Sequence, residues 1–168
     1  MRLTATATLL LLAACATTPA ADADAVHADV RDAAGTLLGR VSLVPEGSGT
    51  RIRGELQGLP AGAHALHVHA VGRCEPPFTT AGPHFNPQQV PHGRQHPQGG
   101  HAGDLPNVTA GADGRVRIDA LARAPLTGDG GILDPDGAAV VLHASADDEV
   151  TDPAGNAGDR IACGVVTR

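Results

Sequence analysis

Six histidines and one aspartate are spaced in this chain as two adjacent metal sites would require. His67 and His69 flank Val68; His84, His92, His101 and Asp104 follow, and His143 stands near the end. On a β-strand successive side chains point to opposite faces, so His67 and His69 would share one face with Val68 buried on the other. Two imidazoles would then converge on one ion.

The elements that must position these groups read as short strands. Alternating or apolar runs cover Thr36 to Val44, Arg51 to Leu56, His64 to His69, Arg115 to Leu121, Ala139 to His143 and Arg160 to Val166. Turn signals separate them, among them Pro45-Glu46-Gly47, Ala112-Asp113-Gly114 and Asp134-Pro135-Asp136-Gly137. Helical periodicity is nearly absent, and 22 glycines with 13 prolines suit a chain of many turns. The expected fold is an antiparallel β-sandwich or flattened barrel. Two long segments break the strand rhythm, Ala70 to about Asp104 and Ala144 to about Asp159. Loops of that length in a compact domain are usually functional or disordered. The first carries three of the histidines and the aspartate, which argues for order imposed by metal.

The start of the chain has another purpose. Arg2, the apolar run Leu9 to Leu12 and the small residues before Cys15 have the features of an export signal, too short for a membrane span. Leu12-Ala13-Ala14-Cys15 further resembles a bacterial lipoprotein signal, in which the cysteine becomes a lipid-bearing N-terminus. The organisation expected is an export signal over residues 1–15, a flexible Ala/Thr/Pro/Asp tether over 16–25 and one domain over 26–168. The alternative is a soluble secreted protein cut a few residues later. Lipidation of Cys15 would account for the odd one of three cysteines and leave Cys74 and Cys163 as a pair. A disulfide between them suits an oxidising compartment, against the alternative of two buried free thiols.

Four separate motifs agree in order with one family. Gly62-Ala63-His64-Ala65-Leu66-His67-Val68-His69, Ala81-Gly82-Pro83-His84-Phe85-Asn86-Pro87, His101-Ala102-Gly103-Asp104-Leu105 and Gly155-Asn156-Ala157-Gly158-Asp159-Arg160-Ile161-Ala162-Cys163-Gly164-Val165 closely resemble copper/zinc superoxide dismutase, over about Val26 to Arg168. The resemblance implies an all-β fold, a Greek-key antiparallel β-sandwich or flattened eight-stranded barrel with two long functional loops. It implies copper held by His67, His69, His84 and His143, and zinc held by His84, His92, His101 and Asp104, with His84 shared through its two ring nitrogens. It implies superoxide as substrate, dismuted to dioxygen and hydrogen peroxide, and Arg160 as the cation that docks the anion. It also implies that Asp147 accepts hydrogen bonds from His67 and His92, and that His64 supports the site without being a ligand. By its three-residue offset, His64 would face away from His67 on a regular strand. His27 and His96 match nothing in the pattern. Taken alone, Arg160 would pass for a surface cation on an edge strand, and Asp147 for a solvated member of an acidic run.

Departures from the family pattern are also legible. The second loop is shorter and more acidic than in many relatives, and Val150 stands where a steering lysine is expected, in a chain with no lysine at all. Formal charge is −6, so the net field repels superoxide and attraction must come from copper and Arg160. Asp159, beside Arg160, could weaken docking. An acidic chain without tryptophan or tyrosine offers no nucleic-acid surface. A hydrolytic zinc enzyme would need an open zinc position, whereas this zinc set is complete. A metal-storage module on the same scaffold would be favoured by a missing copper ligand or arginine, and none is missing. The expected location is the bacterial periplasm or cell envelope, with membrane contact only through lipid on Cys15. The oligomeric state is open between monomer and homodimer, with Leu37, Leu38, Leu126, Ile132 and Leu133 as core or interface.

Overall fold

The computed structural model describes residues 26–168; the expected export signal, Cys15 and the 16–25 tether lie outside the described residues. Nine strands follow in order: β1 (His27–Asp32), β2 (Leu37–Glu46), β3 (Gly49–Leu56), β4 (Gly62–His64), β5 (Leu66–His69), β6 (Val108–Ala110), β7 (Val116–Ala122), β8 (Ala139–His143) and β9 (Arg160–Thr167). One 3₁₀ turn, Thr79–Ala81, lies in the first long loop. Seven strands form one antiparallel sheet in the order β5-β8-β9-β1-β2-β3-β7, and β4 pairs with β6. The sheet curls into a nearly closed barrel. Neighbours β3 with β7 and β5 with β8 are distant in sequence, so the chain crosses the barrel ends as a Greek key does.

Period-two patterning shapes the wall. Along β7 every second residue is buried, Val116, Ile118, Ala120 and Ala122, while Arg117, Asp119 and Leu121 face out. Leu43, Ile52, Leu56, Leu66, Leu105 and Ile118 are almost wholly buried in the main core. Each such side chain contributes roughly 1.5–3 kcal/mol by burial. Leu38, Leu126 and Ile132 belong to this core, Leu133 packs against it, and Leu37 is exposed. The buried hydroxyl of Thr50 donates to Ala124 O at 2.8 Å, so it carries no unmet polar cost.

Three details correct the sequence expectation. The run His64 to His69 is two strands, because at Ala65 the chain leaves β6 and joins β8; Ala65 N donates to Ser145 O and Ala65 O accepts from His143 N. His64 is therefore not on the strand of His67, and the regular-strand offset does not set its direction. Arg160 begins β9, which lies between β8 and β1, so it is not on an edge strand. Strands β1 and β6 have weak signals, β1 because only Ala28 and Val30 of its six residues are fully buried and β6 because it is three residues long.

The two long loops lie against the outer face of the wall at β5, β8 and β9, so both faces of β5 and β8 are buried. A disulfide joins Cys74 in the first loop to Cys163 in β9, with Cα atoms 5.6 Å apart. Closing a loop of 89 residues stabilises the fold by roughly 4 kcal/mol in the chain-entropy account. Phe78, Ala81, Ala139, Val141 and Cys163 form a second small core beneath that loop.

Candidate metal centre

Strand β5 aims His67 and His69 the same way, β8 ends at His143, and the first loop returns through His84, which pairs with His69 in an isolated antiparallel bridge. One ligand atom from each of His67, His69, His84 and His143 falls in a group whose members all lie within 4.8 Å of one another, and His84, His92, His101 and Asp104 form a second such group. All seven residues are buried. Val68, between the first two histidines, packs in the main core.

Hydrogen bonds determine which nitrogen each ring presents. His67 Nε2 donates to Asp147 Oδ2 at 2.8 Å, His69 Nδ1 to Gly82 O at 2.9 Å and His143 Nδ1 to Gly158 O at 3.2 Å. A carbonyl or carboxylate oxygen only accepts, so each of these nitrogens carries the proton and the opposite nitrogen has a free lone pair. Those opposite atoms, His67 Nδ1, His69 Nε2 and His143 Nε2, are buried without a hydrogen-bond partner, as is His84 Nε2. Buried polar atoms are rarely left so. Four lone pairs converging in a buried site are the donor set of a metal such as copper. Burial holds His69 well below the usual imidazole pKa, brings His84 to about 4 against the pull of Asp104, and brings His143 to about 3 with the help of His67. These three rings are therefore neutral, the state that binds a cation.

The second group converges on a carboxylate. Asp104 Oδ1 lies 2.8 Å from His84 Nδ1 and 3.2 Å from His101 Nδ1, while Oδ2 lies 3.1 Å from His92 Nδ1. The His92 contact is misaligned for a hydrogen bond, which leaves Nδ1 unpaired. Three nitrogens and a carboxylate fit tetrahedral zinc. Burial works against charge on His92, yet the Asp104 carboxylate 3.1 Å away and the hydrogen bond to Asp147 raise its pKa to about 10. A field that holds a proton so firmly also favours a metal cation in its place. His84 belongs to both groups, with Nδ1 toward Asp104 and Nε2 in the first set.

Asp147 ties the two groups together. Its Oδ2 accepts from His67 and its Oδ1 from His92 Nε2 at 3.0 Å. Gly155, at φ +63°, passes so close that a Cβ there would lie 1.7 Å from Asp147 Oδ1, so no side chain is tolerated at that position. His64 is 3% exposed, and its Nδ1 and Nε2 each lie 2.8 Å from a carbonyl, of His143 and Pro60. It is a brace, placed away from both metal groups.

Arg160 is half-buried and donates from Nη1 to Phe78 O at 2.7 Å and from Nη2 to Gly82 O at 2.8 Å. Gly82 O is also the acceptor for His69, so one carbonyl positions both the arginine and a histidine of the first group. Burial lowers the Arg160 pKa from its ordinary value, but a guanidinium remains charged. Arg160, His84, His143 and His101 line a cavity of about 1150 Å³ between the loops. Asp134, Asp136 and Asp152 line it too. Asp159 is exposed and pairs with no cation among the described residues. Val150 is 64% exposed, and beside it Glu149 pairs with Arg94.

Several contributors carry no residue-type signal. Asp152 Oδ1 accepts the His92 backbone N–H at 2.7 Å. The Asn107 side chain exchanges two 2.8 Å hydrogen bonds with the Asp147 backbone. Backbone carbonyls at Phe78, Gly82 and Gly158 depend on loop conformation, which spacing does not report. His96 is in neither metal group and accepts the Gln98 N–H.

The family model for copper/zinc superoxide dismutase matches residues 37–166. The chain is 42% identical over 145 residues to "Superoxide dismutase [Cu-Zn] 1" of Aquifex aeolicus (strain VF5), covering 83% of this chain and 86% of that one. It is 41% identical over 155 residues to "Superoxide dismutase [Cu-Zn]" of Deinococcus radiodurans, covering 83% and 82%. Among solved structures, a SOD-like protein from Bacillus subtilis superposes with TM-score 0.79 at 37% identity, over 84% of this chain and 97% of that one. The Cu/Zn superoxide dismutase from Brucella abortus gives 0.70 at 25%, over 86% and 100%.

Proposed function

The chain belongs to the copper/zinc superoxide dismutase family, and from that premise we propose how its own residues divide the work. His67, His69, His84 and His143 hold copper, and His84, His92, His101 and Asp104 hold zinc. When bound, copper supplies the redox chemistry, by which one superoxide is oxidised to dioxygen and another, with two protons, is reduced to hydrogen peroxide. The single observation that carries the copper assignment is the set of four unpaired, buried ring nitrogens pointing together. Arg160 guides the anion: its guanidinium lines the cavity beside His84 and His143, and a fixed cation in a low-dielectric cleft focuses the field. His84 can hold a proton at Nε2 whenever that nitrogen is not a ligand, because its second nitrogen remains with the Asp104 group. Asp147 orients His67 and His92 together and fixes their tautomers.

The chain is exported, and the domain is tethered through lipid on Cys15 in the bacterial periplasm or cell envelope, where it protects against superoxide. The leader pattern Leu12-Ala13-Ala14-Cys15 supports this location. Metabolic labelling with a fatty acid tests it: label in the parent protein and none in Cys15→Ser is expected, and an unlabelled parent would reject the anchor.

Superoxide decay per bound copper, followed by pulse radiolysis on the protein loaded with both metals, tests the catalytic assignment. A rate near the diffusional range of ~10⁸ to 10⁹ M⁻¹s⁻¹ is expected. Arg160→Ala should reduce it about tenfold or more with copper content unchanged. An equal rate in that variant would remove the guiding role.

A further inference from the structure

We infer that Arg123 is a positioning residue for the zinc-ligand segment; this rests on the assignment of His84, His92, His101 and Asp104 to zinc made above. Arg123 is the first residue past β7, at the barrel rim. Its Nη2 donates to the carbonyl of His101 at 2.9 Å, and its backbone N–H donates to Ala102 O at 3.0 Å. The guanidinium crosses the chain at Gly99, where a Cβ would lie 3.1 Å from Arg123 Nη1 and where φ is +86°. One residue therefore spans the segment 99–102 from the barrel side, its side chain at Gly99 and His101 and its backbone at Ala102.

The opposite side of the same segment is held by a ligand. Asp104 Oδ2 accepts the His101 N–H at 2.8 Å and the Gly93 N–H at 3.1 Å, and Asp104 N donates to His101 O at 3.1 Å. The His101 carbonyl thus receives two donors, one from within the segment and one from Arg123. Its peptide planes are held on both sides, which leaves the ring little freedom beyond its own side-chain torsions. His101 is also the most exposed of the four residues, 6% against 5% for His84, 2% for Asp104 and 0% for His92. It lines the cavity, as His84 does, so the arginine secures a ligand that faces the cavity. Arg123 pairs with no carboxylate among the described residues, so its charge is directed at this carbonyl. A charge-assisted hydrogen bond of this kind is among the stronger tethers a backbone acceptor can receive.

Positioning partners of metal ligands typically change affinity 10–100-fold when removed. The variants are Arg123→Met, which keeps the packing stem and removes the side-chain donors, and Arg123→Lys, which keeps a charged donor. Zinc affinity is measured by competition with a chromophoric chelator. The ligand-field spectrum of the cobalt(II)-loaded protein reports geometry at the same residues, and thermal melting of the metal-free protein reports fold stability. The expected result is about tenfold weaker zinc binding and an altered cobalt spectrum in Arg123→Met, partial recovery in Arg123→Lys, and metal-free melting equal to the parent. Unchanged zinc affinity in Arg123→Met would overturn the inference. So would a loss of affinity matched by a loss of metal-free stability, since that is what a merely structural arginine gives. A parent protein that binds neither zinc nor cobalt at these residues would overturn the zinc assignment itself.

Discussion

Asp147 shows how much one carboxylate can do when both oxygens are used. Burial pushes its pKa up, but the hydrogen bonds from His67 and His92 outweigh this and hold it below the ordinary carboxylate range. It is ionised, and it forces both rings to present Nδ1 to the metal groups. Asp147→Asn keeps the shape but replaces one acceptor by an N–H₂ donor facing a ring N–H. Affinity for copper, zinc or both is expected to fall 10–100-fold, measured by metal competition on the metal-free protein. Affinities equal to the parent would show that the ring orientations are determined elsewhere. The ligand types and spacing at this scale were legible beforehand, and so was the Asp147 link through the family resemblance. The atoms that each ring exposes were not, since tautomers follow from carbonyls at Gly82 and Gly158 that no residue type announces.

The second loop, although short, is an ordered element because Asp148 gathers it. Hydrogen bonds from the Thr151 hydroxyl, then from the backbone N–H groups of Thr151 and Val150, lower the Asp148 pKa from 3.8 to about 2. Asn156 Nδ2 donates to the same carboxylate at 2.9 Å. A depressed carboxylate stabilises the folded state fully above its ordinary pKa of 3.8 and loses that contribution as the pH falls through about 2. The melting-temperature difference between the parent and Asp148→Ala, measured calorimetrically on the metal-free proteins, should therefore be constant above pH 3.8 and shrink toward pH 2. A difference independent of pH would mean that Asp148 acts without its charge. The strand runs were visible in the alternation of β3 and β7. The break at Ala65 was not, because it is the pairing of β4 with β6 and β5 with β8 that divides one continuous apolar run.

Across the whole molecule the charge opposes the substrate. The chain carries a formal −6, and Asp134, Asp136 and Asp152 line the cavity that Arg160 shares. Attraction must be local, from Arg160 and bound copper, over distances that salt screens little when groups are partly buried. The catalytic rate is expected to fall only weakly, or to rise, as ionic strength increases, measured by pulse radiolysis over a salt series. A steep fall at low ionic strength would show long-range attraction that the charge distribution does not supply.

The sequence by itself determined the class of the barrel, the side chains that gather into two groups able to hold a metal, and the family, because periodicity and residue spacing are local and chemically distinctive. It also carried the Cys74 and Cys163 pairing as the expected disulfide. Only the tertiary structure decided that Asp152 and Arg123 hold the backbones of His92 and His101, that Asn107 holds that of Asp147, that Gly82 O serves both His69 and Arg160, and that β9 is interior. These contacts join segments far apart in the chain through backbone groups common to every residue, so nothing in the order of side chains could distinguish them.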